Sequence, residues 1–169
     1  MPIVRPERQG DENGIRAVNL AAFDTSAEAD LVDALRREAS PIVSLVAEDA
    51  GVIVGHILFT PVTLADAPEL MLMGLAPMAV VPARQREGIG SSLVRQGLER
   101  CDEMNAAAVV VIGHPEYYPR FGFIPAARLL LRSEYDVPED VFMVHEFRDG
   151  ALAGRSGTIR YHPVFEDFG

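Results

Sequence analysis

Two strong local patterns meet in the stretch Pro82-Ala83-Arg84-Gln85-Arg86-Glu87-Gly88-Ile89-Gly90-Ser91-Ser92-Leu93-Val94. An apolar, β-branched run over residues 75–81 precedes it and predicts a strand. Residues at helical spacing follow it and predict a helix with one apolar face, formed by Ile89, Leu93, Val94, Gly97, Leu98 and Cys101. Gly88 and Gly90 therefore lie at a turn that leads from a strand into a helix.

This turn is suited to bind an anion. The first N–H groups of a helix lack partners within it, and the helix dipole places about half a positive charge there. A phosphate or pyrophosphate can bind at such a position. Gly88 and Gly90 let the backbone approach a ligand closely, and Arg84 and Arg86 add positive charge. The stretch therefore predicts an anion site.

Several known motifs share these features. A P-loop needs Gly-Lys-Ser/Thr after its last glycine, whereas this chain has Gly90-Ser91-Ser92. A dinucleotide-binding fingerprint needs a third glycine at position 93, which is Leu93. The pattern Gln/Arg-x-x-Gly-x-Gly/Ala fits in full, as Gln85-x-x-Gly88-x-Gly90. A glycine-rich helix start without any ligand is the remaining interpretation.

The fitting pattern, placed after the strand Ala79-Val80-Val81-Pro82, resembles the acetyl-CoA pyrophosphate loop of the GNAT N-acetyltransferase superfamily. A second GNAT-like signature, Tyr118-x-x-x-Gly122-Phe123, follows the predicted fifth strand. The run over residues 113–123 is similar to a bacterial subgroup of GNAT proteins, many of which have no assigned substrate. The two signatures, in this order, cover residues 1 to about 147 together with the elements around them.

The predicted elements follow the order that the resemblance implies. Ser26 is expected to cap the second helix with its hydroxyl. Pro61 and the turn residues after it predict a loop over 61–69. The predicted elements are a strand at 3–6, two helices of which the second runs from about 26 to 39, strands at 42–48 and 52–60, a fourth strand at 70–81, a helix from 88 to about 104, a fifth strand at 106–112 parallel to the fourth, and strands at 129–135 and 141–147.

The resemblance implies an α/β fold with a mixed, mostly antiparallel sheet, a parallel and splayed fourth and fifth strand, and helices on both faces. It also implies one N-acetyltransferase domain over residues 1–169, with acetyl-CoA as the co-substrate between the splayed strands. A backbone N–H near Val80 would stabilise the oxyanion. The implied pantetheine contacts are Met78, Ala79, Val80 and Val81, and the implied pyrophosphate contacts are Arg86, Glu87, Gly88, Ile89, Gly90 and Ser91.

Tyr118 holds the family position of the general acid that protonates the departing coenzyme A thiolate. A free tyrosine has a pKa of about 10 and a thiol one of about 8.5, so the phenol is protonated at neutral pH. Packing beside Phe121 and Phe123 is the alternative role. For the general base the sequence offers only candidates for which a structural role is favoured, namely Glu48, His56 and His114, and His162 is not expected to take part.

Composition and charge limit the size, location and binding partners that the protein can have. The chain has 169 residues and 49% hydrophobic residues, as expected for one globular domain. It lacks a run of 18 apolar residues and a signal peptide, so we expect a cytoplasmic protein without a membrane partner. The net charge of −10 argues against nucleic acid and favours a cationic substrate. The single cysteine, Cys101, is expected in the core, and no residue spacing predicts a metal site.

The sequence thus predicts an N-acetyltransferase that acts by direct attack within a ternary complex. The acceptor is a primary amine on an unidentified small molecule or peptide. A non-catalytic acyl-CoA-binding or sensing module of the same fold is the alternative, and a different acyl donor such as succinyl-CoA stays open. The oligomeric state also stays open, with the homodimer as the commonest arrangement of soluble homo-oligomers.

Overall fold

The structure, a computed structural model, describes residues 2–168 of the chain. Its helices are α1 (Glu12–Ala22), α2 (Ala27–Glu38) and α3 (Ile89–Glu103), with short 3₁₀ helices that include Pro82–Arg84, Tyr118–Phe121 and Pro163–Asp167. Its strands are β1 (Ile3–Pro6), β2 (Val43–Asp49), β3 (Val52–Leu64), β4 (Leu72–Val80), β5 (Ala108–Ile112), β6 (Ile124–Pro125), β7 (Leu131–Ser133), β8 (Phe142–Glu146) and β9 (Gly157–Arg160).

The strands form a mixed sheet in the order β1-β2-β3-β4-β5-β8-β6. The β1–β2, β2–β3, β5–β8 and β6–β8 pairs are antiparallel, and β4 and β5 are parallel. Strand β9 pairs with both β3 and β7 and lies off this path. The predicted mixed sheet with a parallel fourth and fifth strand is therefore confirmed.

The chain divides into two compact units, and the first contains residues 2–60, 76–99 and 163–168. The apolar faces of α1 and α2 form a hydrophobic cluster with residues of β2 and β3. This cluster includes the fully buried Ile15, Leu35 and Val46, and Val164 from the last 3₁₀ helix joins it. The periodic apolar residues of both helices are thus explained by burial on one side.

A close helix–strand contact lies in the same unit. A Cβ at Gly97 of α3 would overlap with the ring of Phe59 in β3, whose side chain is fully buried. Gly55 of β3 lies against Ile89 and Leu93 of α3 in the same manner. Glycines on both elements therefore let the helix and the strand approach each other closely.

The second unit contains Pro61–Leu75 and Arg100–His162. Within it, Leu72–Leu75 of β4 pair with Ala108–Val111 of β5, and β5 pairs in turn with β8. Cys101 at the end of α3 is fully buried, and burial raises the pKa of its thiol to about 12. The thiol is part of the core, as predicted. That residues 1–169 act as a single domain stays a prediction.

Two local predictions were wrong. Strand β3 runs to Leu64 rather than ending before Pro61, because Thr63 and Leu64 pair with β9. The hydroxyl of Ser26 does not cap α2; it donates to a carboxylate oxygen of Asp30 at 3.1 Å. The side chain of Thr25 accepts the Ala27 N–H instead, at 3.2 Å.

Among the helices of residues 2–168, none is both long and apolar enough to cross a membrane. The same residues hold no group of three His, Cys, Asp or Glu side chains placed to bind a metal ion.

Candidate active site

The turn between β4 and α3 has an unusual backbone. Arg86 and Gly88 both have positive φ angles, +66° and +86°. A side chain at such a φ is strained, whereas glycine is not. A Cβ at Gly88 would meet no atom within 4 Å. The turn therefore needs glycine at 88 for its conformation, and the space beside it is open.

We call residues 86–91 the anion cradle. Helix α3 begins at Ile89, so the N–H groups of Ile89 and Gly90 have no carbonyl partner within the helix. Turns with left-handed residues direct N–H groups into a concave site that binds anions. The Ile89 side chain is buried and anchors the helix start in the first unit. The cradle is thus exposed to solvent, lies at a helix N-terminus that Ile89 holds in place, and carries the positive end of the helix dipole.

The two arginines beside the anion cradle differ in their surroundings. Arg84 donates from Nε to Glu87 and from Nη2 to Asp49, both at 2.9 Å. These two carboxylates raise the pKa of the Arg84 guanidinium, Glu87 more than Asp49. Arg86 is exposed, and within residues 2–168 its guanidinium has no acidic partner. The cation available to an anion is therefore Arg86.

The end of β4 leads into this turn. The Val81 N–H donates to the Val54 carbonyl of β3 at 2.9 Å, so this amide is already used within the sheet. The Val80 carbonyl accepts a bond from the Gln85 side-chain amide at 3.1 Å. The parallel pairing with β5 ends at Leu75, although β4 continues to Val80. Contacts of residues 78–81 with pantetheine stay a prediction.

Tyr118 lies in an aromatic cluster of the second unit. It begins the 3₁₀ helix Tyr118–Phe121, and the ring of Phe123 packs edge-on against it at a centroid distance of 5.6 Å. Tyr117 packs on it at 5.1 Å. A Cβ at Gly113 would overlap with the Tyr118 ring, so the glycine after β5 makes room for it. The structure therefore shows packing at this residue, and the role of Tyr118 as general acid stays a prediction.

Burial sets the protonation state of Tyr118. The side chain is 7% exposed, and burial, with a smaller effect of Tyr117, raises its pKa to about 12. The phenol therefore keeps its proton throughout the neutral and moderately alkaline range. It can donate a hydrogen bond and does not act as a base at neutral pH.

The candidate bases have structural surroundings in three of four cases. Glu48 is paired with Arg5 at 3.0 Å. His56 is fully buried, and desolvation lowers its pKa to about 3. His162 is half-buried, and only His114 is exposed. Glu48 is therefore held in an ion pair, and His56 lies in the core of the first unit.

Two residues near these features were not singled out from the sequence. Asp49, which ends β2, is tied to Arg84. His145 of β8 bonds the Gly122 carbonyl through Nδ1 at 3.3 Å, and its ring packs on Phe123. Both contacts join residues more than 20 positions apart, so no local pattern indicates them.

Comparison with known proteins identifies the family. A family model described as an acetyltransferase (GNAT) domain matches residues 4–126. The uncharacterized N-acetyltransferase YhbS of Escherichia coli (strain K12) is 38% identical over 167 residues, which cover 98% of this chain and 99% of the relative. The uncharacterized N-acetyltransferase YjhQ of the same strain is 45% identical over 122 residues, 70% of this chain and 67% of the relative.

Solved structures agree with this. The GNAT family N-acetyltransferase YhbS from Escherichia coli, in complex with CoA, superposes with a TM-score of 0.93 at 37% identity and covers 99% of this chain and 93% of that one. A GNAT family acetyltransferase from Brucella melitensis, in complex with acetyl-CoA, has a TM-score of 0.80 at 35% identity, with 98% of both chains covered. The chain belongs to the GNAT acetyltransferase family.

Proposed function

We propose that this protein transfers the acetyl group of acetyl-CoA to a primary amine by direct attack within a ternary complex. The observation that carries the proposal is the anion cradle: a helix N-terminus, two left-handed residues and an unpaired arginine side chain at one exposed turn. Two solved structures at 37% and 35% identity to this chain are complexes, one with CoA and the other with acetyl-CoA. The anion-binding turn and the ligands of these relatives together favour the pyrophosphate of acetyl-CoA as the bound anion.

In this proposal the N–H groups of the anion cradle bind the pyrophosphate of acetyl-CoA. The exposed Arg86 guanidinium adds charge at the same turn. Backbone groups of residues 78–81 bind the pantetheine. The Gln85 side-chain amide bonds the Val80 carbonyl within this segment. A backbone N–H near Val80 stabilises the thioester oxygen as it gains negative charge.

The chemistry has two events. The neutral amine attacks the thioester carbonyl carbon and forms a C–N bond, and the carbonyl electrons move to oxygen. The carbonyl then re-forms as the C–S bond breaks, and the electron pair of that bond leaves with the coenzyme A sulfur. The amine proton passes to solvent, and the products are an amide and coenzyme A. The leaving sulfur needs stabilisation because a thiolate in a partly apolar site is poorly solvated.

Tyr118 supplies that stabilisation in our proposal. Its pKa of about 12 lies above that of a free thiol, about 8.5, so complete proton transfer to a free thiolate would be uphill. The phenol therefore acts first as a hydrogen-bond donor to sulfur while the C–S bond breaks. The extent of proton transfer from the phenol depends on the basicity of the departing sulfur.

The experiment that tests the function follows thiol release from acetyl-CoA. The purified protein is incubated with polyamines, amino acids, aminoglycosides and peptide N-termini, and coenzyme A is quantified. Release that depends on one class of amine supports the enzyme and identifies the acceptor class. Acetyl-CoA binding without release on any amine would instead favour the acyl-CoA-sensing module.

The variant Gly88→Glu tests whether the anion cradle binds acetyl-CoA. A glutamate here adds negative charge at the anion cradle and strains a backbone with φ +86°. We expect acetyl-CoA binding to be lost in calorimetry. The matched control is Gly10→Glu, because Gly10 has φ +98° and equally open space but lies in a turn of the first unit before α1. Equal loss in both variants would mean that backbone strain, not the cradle, explains the effect.

A further inference from the structure

Arg84 connects two parts of the first unit. Its guanidinium bonds Glu87 within the anion cradle and Asp49 at the end of β2, each at 2.9 Å. The side chains of Arg84 and Asp49 are both 29% exposed, so solvent screens this pair only in part. The two bonds form a bridge from the sheet to the cradle, across 35 residues of sequence.

Ile89 packs the cradle against β3, but on the side of β1 and β2 the cradle is not packed against the strands. A cavity of about 160 Å³ lies between the turn and strands β1 and β2. Val4 and Ala47 line it from the strands, and Glu87 and Gly88 line it from the turn. Because this space is not filled by side chains, packing does not fix the turn here. The bonds of Arg84 to Asp49 and Glu87 connect the turn to β2 in this region and hold the turn in place.

The bridge also affects the charge that an anion meets. Glu87 is the one acidic residue of the anion cradle in the sequence, and a free carboxylate there would repel a pyrophosphate. The ion pair with Arg84 offsets that charge. Arg84 in turn donates from Nε and from Nη2 to carboxylates, whereas Arg86 is exposed.

We infer that Arg84 is a positioning residue of the anion cradle, which acts through Asp49 and Glu87 and does not itself bind the phosphates. The inference rests on the acetyl-CoA site of the proposed function. It assigns to Asp49, which lies outside the cradle, an influence on acetyl-CoA affinity. It leaves Arg86 as the side chain that meets the anion.

The decisive variant is Asp49→Asn, because the two possible roles of Arg84 predict opposite signs. If Arg84 positions the cradle, loss of the Asp49 bond weakens acetyl-CoA binding about two- to fivefold in calorimetry, the range of a partly exposed ion pair. If Arg84 binds the phosphates directly, release from Asp49 leaves affinity unchanged or raises it, and the inference is overturned. Asparagine suits the hairpin turn that follows, so the variant should fold.

Two further measurements separate positioning from a general loss of structure. In an Arg84→Gln background, Asp49→Asn should have no additional effect, since the bridge is already absent. With S-acetylpantetheine, a donor that lacks the pyrophosphate, kcat/KM of Asp49→Asn should equal that of the wild type. An equal loss with both donors would refute the inference.

A matched control lies elsewhere in the same unit. Arg16 of α1 bridges Asp30 and Asp33 of α2 at 2.8 and 2.9 Å, with similar exposure. Asp30→Asn removes one arm of that bridge and should leave the dissociation constant of acetyl-CoA unchanged. If the wild-type protein does not bind acetyl-CoA at all, the proposed function fails; if it binds and Asp49→Asn binds equally well, only the role of Arg84 fails.

Discussion

Burial of single polar side chains decides what Tyr118 and His56 can do. Desolvation disfavours the charged form of each group, so it raises the pKa of the phenol and lowers that of the imidazole. Tyr118 thereby stays a hydrogen-bond donor. His56 stays a neutral member of a buried hydrogen-bond chain. The same physical effect keeps the phenol protonated, as the proposed role of Tyr118 requires, and keeps the imidazole of His56 neutral.

The phenol of Tyr118 can be tested by removing only its hydroxyl. We expect Tyr118→Phe to lower kcat by about 100-fold, the low end of the effect of a general acid. The acetyl-CoA dissociation constant should change little, because the ring and its contacts with Phe123 remain. Tyr117→Phe, which removes the neighbouring hydroxyl, is the control and should keep kcat near the wild-type value. A Tyr118→Phe enzyme with unchanged kcat removes the residue from the mechanism.

The buried chain around His56 has a defined direction. Ser44 donates its hydroxyl to Glu7 at 2.5 Å, so His56 must donate from Nε2 to the Ser44 oxygen at 2.9 Å. Its Nδ1 is then the deprotonated nitrogen, buried and without a partner in the described part of the chain. Protonation would place a charge there, with the Arg36 guanidinium adding repulsion. The neutral form is therefore strongly preferred.

This preference predicts loss of stability in mild acid. The unfolded chain protonates His56 below a pKa of about 6.5, whereas the folded protein does so only near 3. The unfolded state thus binds the extra proton between these values, and the free energy of unfolding falls as the pH falls, by up to about 1.4 kcal/mol per pH unit. Urea unfolding at several pH values between about 6.5 and 4.5 measures this slope. His56→Gln should show a smaller slope, and an equal slope would contradict the assignment.

At the scale of the helices and strands, α3 and β3 show how local preference yields to packing. Helix propensity alone favours alanine over glycine by about 1 kcal/mol. At Gly97, however, the added methyl group would overlap with the buried Phe59 ring. The close approach of the two elements therefore outweighs the helix preference.

A pair of glycine substitutions separates the two effects. We expect Gly97→Ala to reduce the free energy of unfolding by about 1–3 kcal/mol through overpacking. Gly14→Ala in α1 is the matched control, because its closest contact would be the flexible Cδ1 end of the Ile53 side chain at 2.9 Å, with Cβ and Cγ1 of Ile53 at 3.4 Å. That variant should be close to neutral or slightly stabilising. Chemical denaturation of both variants provides the comparison, and equal destabilisation would rule out the role of the Phe59 contact.

The elements were predictable where the pattern is local. The apolar face of α3 and the parallel crossover into β5 follow from residue spacing, and the structure has both. The extension of β3 to Leu64 was not predictable, because it depends on β9, whose residues lie almost 100 positions away. Ser26 shows the same limit, since Thr25 and Asp30 compete for the capping contacts.

For the whole molecule, charge is the property that a substrate meets first. Twenty-five acidic residues against fifteen basic ones give a net charge of −10. Such a field raises the encounter rate with cations, and salt screens it. The effect belongs to the sum of the charges rather than to any one side chain.

Salt dependence therefore separates acceptors by charge. At saturating acetyl-CoA, kcat/KM for a polyamine should fall as the Debye length shrinks from about 30 Å to about 8 Å, between about 0.01 M and about 0.15 M salt. A monoamine of the same chain length should show a smaller decrease. Equal decreases for both amines would mean that the overall charge does not steer the acceptor.

The candidate site could be predicted from the sequence only in its backbone part. Gly88 and the start of α3 are adjacent in sequence, so their joint geometry follows from residue types. Which arginine is free was not predictable, because the partner of Arg84 is Asp49, on a different strand. The acceptor class is also not predictable, since it depends on side chains that only the fold brings together.

The buried thiol of Cys101 has a practical consequence for chemical labelling. It is the one sulfhydryl group that the sequence contains, and in the folded protein it is fully covered and has a pKa of about 12. A chromogenic thiol reagent should therefore react with released coenzyme A at once and with the native protein hardly at all. Any slow reaction of Cys101 would report transient opening of the core around α3. One reagent can therefore follow both the release of coenzyme A and local opening of the protein.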